Sequence, residues 1–448
     1  MKPPQRKHFL LRLGLVRPGF VLLLAYAFVI LFGALLLLLP FSHHGAVGVV
    51  DAVFTAASAL TVTGLNTVNL ATTWTWFGKL VILIWIQLGG IGIMSLTTMS
   101  FLGGARASLS LETLYFQELT GSQKMANART LVRQIVILTL TLEAIGAALL
   151  FIDLVRYYPV PQSLGYAVFH AVSAFCNAGF TLTPDSYIGF AADNYFLAVN
   201  AVLIVIGGLG YLLLLELLDR WRRRKDNRRR LSLHLRVVTI ASATLITLGG
   251  VLLWITEDFT LPQALFHSIS SRTAGFNALD IPTINLPAMC LLMILMYIGA
   301  APGSTGGGIK VTSLVALLAL GLQRLRGDNT VTLLHRTIPT PLIIRAIAVA
   351  IIGVGTITIT AVAVVIFQTL DSPAEPNLLR DALFEATSAV STVGLSTGLT
   401  DKLTTLSKLT VVFAMIVGRL GLLTIAYGIA ARSRPETMRY AEGSMMIG

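Results

Sequence analysis

The chain has 448 residues, of which 55% are hydrophobic and only 12% are charged, and its mean hydropathy is +0.79. Soluble globular proteins carry about twice that share of charged residues, so the composition excludes an ordinary soluble protein. The net charge is +12, and the only two cysteines, Cys176 and Cys290, have a spacing that supports neither a disulfide framework nor a zinc site.

Apolar stretches of about 20 residues recur along the chain, which is the length that an α-helix needs to cross a membrane. They are continuously apolar rather than alternating, which favours helices over the strands of a barrel. The first is too long for the core of a signal peptide and is predicted to be a retained span. Eight stretches are predicted to cross the membrane, the sixth with an interruption: 19–40, 76–102, 131–155, 195–219, 235–256, 286–322, 342–369 and 407–430.

A shorter segment lies between the two members of each consecutive pair of spans, at 48–68, 163–183, 261–279 and 379–399. All four segments contain Ala-Val-Phe or Ala-Leu-Phe, then a serine, then a glycine followed by Leu or Phe. Phe precedes that glycine by ten residues in three copies, and the third copy has one residue fewer. Four matching copies, each between two spans, indicate an internal repeat.

The chain is therefore predicted to contain four repeats of a span, a short helix, a glycine loop and a second span. An even number of spans leaves both termini on one side, and the basic tails and the Arg-rich loop at 220–236 make that side cytoplasmic. We interpret this basic loop as a membrane anchor and not as a nucleic-acid site. The predicted divisions are an N-terminal tail at 1–18, repeats at 19–102, 131–219, 235–322 and 342–430, a cytoplasmic connection at 103–130 and a C-terminal tail at 431–448.

Four glycine loops that enter the membrane around one axis can form a cation filter. Non-helical backbone at this depth is tolerated only where it is buried in protein or lines an aqueous cavity. A ring of backbone carbonyls replaces the water shell of a cation, and glycine permits the close approach and positive φ that such a ring requires. The alternative, in which the glycines only break re-entrant helices, does not explain the matching Phe and Ser. The predicted filter residues are Val62, Thr63, Gly64, Asn177, Ala178, Gly179, Thr273, Ala274, Gly275, Thr392, Val393 and Gly394.

The interruption in the sixth span is predicted to be a gate. No continuous helix accommodates one proline and four glycines within seven residues, so the span must break within the membrane. The motif is not a phosphate-binding loop of the Walker type, because its spacing fails and no strand precedes it. Arg419, inside the last span, must face the interior or a water-filled cavity, unless it reaches the inner membrane surface. The predicted gate residues are Pro302, Gly303, Ser304, Thr305, Gly306, Gly307, Gly308 and Arg419.

Acidic residues outnumber basic ones on the predicted external segments, which favours cation entry through an acidic vestibule. The positive-inside bias accounts for part of this difference. These acidic residues are Asp51, Asp185, Asp193, Glu257, Asp258, Asp280, Asp371, Glu375, Asp381, Glu385 and Asp401.

The loops TVTGL, CNAGF, RTAGF and STVGL, together with the glycine-rich break, resemble the Trk/Ktr/HKT superfamily of cation transporters over nearly the whole chain. The resemblance is strongest to the membrane subunit of bacterial Ktr K+ uptake systems. It implies an all-α integral membrane fold in which one polypeptide forms a K+-channel-like pseudo-tetramer, and two chains form a homodimer. It also implies K+ at the four loops, an intramembrane gate, and a cytosolic ring of nucleotide-binding domains of the KtrA type as regulatory partner.

The expected function is K+ uptake across the bacterial cytoplasmic membrane by a subunit that is not an enzyme and carries no covalent cofactor. Because the chain has no recognisable nucleotide-binding domain, the membrane potential or an ion gradient must drive transport, and Na+ stimulation is one form of such coupling. Membrane lipid suits the basic loop as well as a protein partner does, and nucleic acid is not expected. The alternatives are a Na+-preferring or K+/Na+ symporting relative, a polytopic membrane enzyme and a non-transporting scaffold.

Overall fold

The computed structural model describes residues 18–103, 128–222, 232–328, 330–371 and 376–421. The prediction of a mostly helical chain is confirmed. The C-terminal tail, the N-terminal tail up to residue 17, most of the connection at 103–130, most of the basic loop at 220–236 and the last third of the eighth predicted span lie outside the described residues.

Fifteen α-helices and one two-stranded hairpin make up the described regular structure, apart from three short 3-10 turns. We group twelve of the helices into four quarters, each with a first helix, a short helix and a second helix. Quarter one is α1 Pro18–Leu37, α2 Val49–Leu60 and α4 Trp76–Gly103; quarter two is α5 Ala128–Leu154, α6 Val160–Cys176 and α7 Asn194–Leu209; quarter three is α9 Leu233–Thr256, α10 Leu261–Ser270 and α11 Leu286–Tyr297; and quarter four is α13 Thr340–Asp371, α14 Leu378–Ser391 and α15 Thr405–Leu420. The remaining elements are α3 Leu70–Thr73, α8 Tyr211–Arg222, α12 Val311–Leu325, β1 Thr332–Leu333 and β2 Arg336–Thr337.

Three helices in the described part of the chain are long and apolar enough to cross a membrane: Val132–Leu154, Leu233–Thr256 and Thr340–Asp371. Each is the first helix of a quarter, and most of its surface is left uncovered by the rest of the chain. Two of the second helices are shorter: α7 has 16 residues and ends before Gly210, and α11 has 12 residues and ends two residues before Gly299. The exposed apolar surfaces of these three first helices are long enough to contact the hydrocarbon core of a membrane.

Each second helix begins at a polar side chain that satisfies an otherwise unpaired backbone N–H group. Asp193 Oδ1 accepts hydrogen bonds from Tyr195 N and Phe196 N at 3.0 Å, and Asn285 Oδ1 accepts one from Ala288 N at 2.9 Å. Thr75 and Thr404 act in the same way at the starts of α4 and α15. These caps fix where each chain segment re-enters the bundle after its glycine loop.

The quarters pack around one centre. Within each quarter the first helix packs against the short helix, and each second helix packs against the short helix of the next quarter: α4 on α6, α7 on α10, α11 on α14 and α15 on α2. The last of these contacts closes the circle. It is reinforced by an ion pair of 2.7 Å between Lys408 Nζ on α15 and Asp51 Oδ1 on α2.

The fourth predicted span, expected to be continuous from 195 to 219, is interrupted. Helix α7 ends at Leu209 and α8 begins at Tyr211, with Gly210 at φ +84° between them. A Cβ at Gly210 would approach the carbonyl oxygen of Pro302 to 2.8 Å. The helix breaks here because the interrupted sixth span passes against it.

Candidate functional site

The four glycine loops share a backbone conformation that the sequence motif did not specify in full. In each loop the glycine has a positive φ, and so does the residue two positions before it. The φ angles of the glycines are +96° at Gly64, +69° at Gly179, +79° at Gly275 and +103° at Gly394. The φ angles two residues earlier are +54° at Val62, +57° at Asn177, +76° at Thr273 and +49° at Thr392. A left-handed conformation is uncommon for residues other than glycine, so its recurrence in four loops is a common structural feature.

The four glycines meet in a ring. A methyl group added to any of them would overlap or press against the carbonyl oxygen of the residue before the next glycine along the chain. The contacting pairs are Gly64 with Ala178, Gly179 with Ala274, Gly275 with Val393 and Gly394 with Thr63. The order returns to its start, so all twelve predicted filter residues are brought together around one axis.

The serine of the repeated motif holds each loop against its short helix. Ser58 and Ser388 each accept a hydrogen bond of 3.0 Å from the backbone N–H of the glycine six residues later. Ser173 and Ser270 instead donate to the carbonyl oxygen of the phenylalanine that follows the glycine. The motif phenylalanines are at most 3% exposed, and they anchor the same helices in the apolar core.

The third copy has one residue fewer than the others, and the short helix before its loop is shortened to compensate. The ring of glycines is therefore intact. Helix α10 ends at the motif serine, Ser270, whereas α6 and α14 continue for three residues beyond theirs. Ala274 N still reaches the carbonyl of Ser270, at 2.8 Å. The loop therefore retains the φ pattern of the other three copies.

The glycine-rich break lies directly beneath the ring. Its two ends are joined by backbone hydrogen bonds between residues 297–299 and Ile309. Gly306 packs against the side chains of Thr273 and Asn177, and Gly307 packs against Thr392. The break thus touches three of the four loops on their inner side.

The remaining residues of the break are tied to quarter two and to one another. Thr305 Oγ1 donates to the carbonyl of Phe175, at the end of α6, over 3.2 Å. Ser304 Oγ donates to the carbonyl of Ala301 at 2.6 Å. Pro302 and Gly303 pack on Gly210, and Gly308, with φ +64°, packs on Gly299. The seven predicted gate residues from Pro302 to Gly308 therefore form one compact segment.

Arg419 turns inward and does not extend to the membrane surface. Its side chain is buried, Nη1 donates to the carbonyl of Thr305, and Nη2 lies 3.5 Å from the carbonyl of Gly89. The guanidinium thereby joins the break to quarter one. Lys310 adds a second cationic contact, from Nζ to the carbonyl of Gly306 at 2.7 Å. We did not predict a role for Lys310, although a lysine that closes a glycine-rich run within a span was a visible signal.

A second set of glycines escaped the sequence analysis. In three quarters a glycine of the second helix contacts the carbonyl oxygen of the residue four positions before the loop glycine. These contacts join Gly89 to Leu60, Gly207 to Phe175 and Gly418 to Val390. The signal was a glycine in the second span, 24 to 28 residues after each loop glycine. Because glycine has no side chain, the second helices can pack closely against the ends of the short helices.

These close contacts predict a difference between two glycines of the same helix. Gly89→Ala is expected to lower stability by about 1–3 kcal/mol, because the methyl group overlaps backbone that has no room to move. Gly92→Ala is the matched control, since a methyl group there meets no described atom within 4 Å. Thermal unfolding of the two variants in detergent measures the difference. Equal unfolding temperatures would show that the close packing at Gly89 does not contribute to stability.

One acidic residue was assigned to the wrong environment. Glu385 was expected in a water-facing vestibule, but it is fully buried, and its carboxylate is enclosed by the segment that follows Gly394. The sequence reasoning used only its predicted side of the membrane and could not see that the chain folds back over it.

Comparison with known proteins agrees with this geometry. The chain is 34% identical to the Ktr system potassium uptake protein B of Vibrio alginolyticus, over 96% of this chain and 94% of that protein. It is 33% identical to the protein of the same name from Bacillus subtilis, over 96% and 97%. It is also 32% identical to the potassium/sodium uptake protein NtpJ of Enterococcus hirae, over 97% and 96%.

The fold has a solved counterpart in the potassium transporter TrkH from Vibrio parahaemolyticus. The TM-score is 0.70, with 20% identity, over 95% of this chain and 86% of that chain. The model of the TrkH family, described as a cation transport protein, matches residues 15–435. The resemblance drawn from the four loops is thus confirmed, and the chain is a membrane protein that belongs to the TrkH family of cation transport proteins.

Proposed function

We propose that this chain mediates K+ uptake through a pore at the centre of its four quarters. The observation that carries the proposal is the closed ring of four glycines, each against the carbonyl that precedes the next. Carbonyl rings of this kind replace the hydration shell of a cation. Two relatives that share about a third of their residues with this chain are named potassium uptake proteins, which supports K+ as the transported ion.

Two buried hydroxyl groups at the inner side of the ring support the same role. Thr273 Oγ1 and Thr392 Oγ1 have no hydrogen-bond partner among the described residues. A buried hydroxyl without a partner is costly unless a ligand or water satisfies it. Both belong to the predicted filter, and both lie next to the glycine-rich break. A cation that passes from the ring towards the break would meet their oxygen atoms.

Control of the pore is assigned to the glycine-rich break and Arg419. The break lies under three filter loops, and Arg419 holds Thr305 from the opposite side. A buried guanidinium beneath a cation filter adds an electrostatic barrier to cations, and its hydrogen bonds favour the closed arrangement of the loop. Opening requires this segment to leave the inner face of the ring.

The organisation of the whole protein is proposed on the same basis. The four predicted repeats correspond to four quarters of one pseudo-tetramer, with eight spans and both termini on the cytoplasmic side of the bacterial membrane. The membrane potential drives uptake. The name "Ktr system", carried by two relatives, supports a multi-component assembly, for which we propose a homodimer of this chain on a cytosolic nucleotide-binding ring.

A K+/Na+ transporter is the second candidate. The relative from Enterococcus hirae is named a potassium/sodium uptake protein. The two candidates share the ring and the gate and differ in the ions that the ring accepts. No enzymatic activity is proposed for either.

Growth rescue distinguishes these candidates. Expression of this chain in a bacterium that lacks its own K+ uptake systems is expected to restore growth at micromolar K+. Rb+ uptake measured with and without Na+ then separates K+ transport from Na+ competition or Na+ stimulation. Absence of both rescue and Rb+ uptake from cells with the protein in the membrane, with and without a co-expressed Ktr regulatory subunit, would contradict the proposed function.

A further inference from the structure

The fourth filter loop is held by a buried carboxylate that the transport proposal does not yet use. Glu385 directly follows the motif residue Phe384 on the short helix α14, and both side chains are fully buried. In the other three quarters the equivalent positions hold Thr55, His170 and His267. The fourth quarter alone places a carboxyl group at this position.

Glu385 binds the segment that leaves the filter glycine of its own loop. Its Oε1 accepts hydrogen bonds from Ser396 Oγ at 2.5 Å and from Thr397 N at 3.1 Å. Its Oε2 accepts one from Thr400 Oγ1 at 2.7 Å. All three donors lie within six residues of Gly394, so one side chain fixes the whole outgoing limb of the loop.

The pattern of donors requires an acceptor at this position. The backbone N–H of Thr397 can only donate, and the hydroxyl of Ser396 already accepts from Gly398 N at 2.9 Å. The hydroxyl of Thr400 completes a set of three neutral donors that converge on two carboxylate oxygens. An ionised carboxylate satisfies all three, and their contacts do not cancel its negative charge.

The equivalent side chains hold their loops less firmly. His170 Nε2 accepts one hydrogen bond of 3.2 Å, from Leu182 N, which lies three residues after its filter glycine just as Thr397 does. Thr55 donates within its own helix. Both ring nitrogens of His267 lack a partner among the described residues. Quarter four therefore has the most extensive tether and the one carboxyl group of the set.

We propose that Glu385 is a positioning residue that sets K+ affinity and K+/Na+ discrimination, by fixing the outgoing limb of the fourth filter loop and by adding negative charge behind it. This inference rests on the proposed transport function and adds a residue outside the predicted filter. The carbonyl groups around Gly394 keep their spacing only while the limb from Ser396 to Thr400 stays fixed. A charge in buried surroundings also acts on a nearby cation more strongly than the same charge in water.

Variants at this position separate affinity from folding. Glu385→Ala removes all three hydrogen bonds, and it is expected to raise the KM for K+ at least roughly tenfold, the effect of one charge-assisted hydrogen bond, and to increase inhibition by Na+. Glu385→Gln keeps the shape but loses the charge and turns an amide N–H₂ towards a donor, so an intermediate KM is expected. Glu385→Asp keeps the charge and is expected to restore much of the affinity. Rates are compared per amount of protein in the membrane.

A second measurement needs no transport. K+ should raise the unfolding temperature of the purified protein, and the K+ concentration that gives half of this rise should increase in Glu385→Gln. Glu257→Gln is the matched control, because that carboxylate holds a backbone N–H, of Asn285, at 2.7 Å, away from the filter. Its K+ dependence should equal that of the wild type.

The outcomes separate this inference from the proposed function. If the wild-type chain transports K+ and the Glu385 variants keep its KM, Na+ inhibition and thermal K+ dependence, the role of Glu385 is overturned. If the wild-type chain neither transports K+ nor is stabilised by it, the proposed function itself fails. A fall in maximal rate with an unchanged KM would indicate a merely structural residue and would also contradict the inference.

Discussion

Gly394→Ala and Gly64→Ala are each expected to abolish growth rescue at micromolar K+. At these positions φ is +103° and +96°, where a Cβ costs about 1–2 kcal/mol in the backbone alone. The added methyl group would also overlap the carbonyl oxygen of Thr63 or Ala178, which belongs to the neighbouring filter loop. Either loop must move, so the carbonyl ring loses its spacing even if the helices remain folded.

Aspartate at the same two positions is expected to be at least as damaging, since it adds a carboxylate to the methyl overlap. Gly355→Ala is the matched control, because a methyl group there meets no described atom within 4 Å and the helix continues on both sides. Growth and Rb+ uptake are measured at equal amounts of membrane protein. Rescue that survives both filter substitutions would contradict the assignment of the four loops as the ion pathway.

The four loops could be found in the sequence because the same short motif occurs four times. The three motif residues lie within eleven positions of one another. The phenylalanine side chain is buried, the serine hydrogen-bonds to the loop, and the glycine takes a positive φ. Local interactions of this kind leave a pattern that repetition makes visible. The family resemblance followed from the same residues, and the comparisons confirm it.

Features that depend on contacts between quarters could not be read in the same way. The break at Gly210 exists because Pro302 and Gly303, some 90 residues later, occupy the space where a continuous helix would pass. Hydropathy alone therefore favoured one span across that position. The burial of Glu385 has the same origin, since the segment that encloses it returns to α14 only after the filter loop has turned.

Two of the second helices are short for a related reason. Helices α1, α4, α5, α9 and α13 lie close to the bounds predicted for their spans, and three helices in the described part of the chain have the length and hydropathy of a complete span. Second helices such as α7 and α11 stop where glycines let the chain bend towards the centre. A membrane protein with a central pathway uses these interruptions, because non-helical backbone is tolerated where protein or water surrounds it.

The proposed gate segment and the proposed filter loops are in direct contact. Gly306 and Gly307 touch the residues that precede three of the filter glycines by two positions. Movement of the gate segment would therefore release the inner ends of those loops as well as open the path. Arg419 is the described side chain that holds this segment from the side of quarter one, and its removal tests the coupling directly.

Arg419→Ala is expected to raise K+ flux roughly tenfold or more, because a hydrogen bond from a charged donor to Thr305 contributes about 1.5–3 kcal/mol to the closed arrangement. Loss of the buried positive charge lowers the electrostatic barrier as well. Rb+ efflux from proteoliposomes at equal protein content measures the change. Arg419→Lys keeps the charge but loses the planar fork that reaches both Thr305 and Gly89, so a smaller increase is expected. Unchanged or lower flux in well-inserted Arg419→Ala protein would mean that the guanidinium stabilises the bundle and does not hold the gate closed.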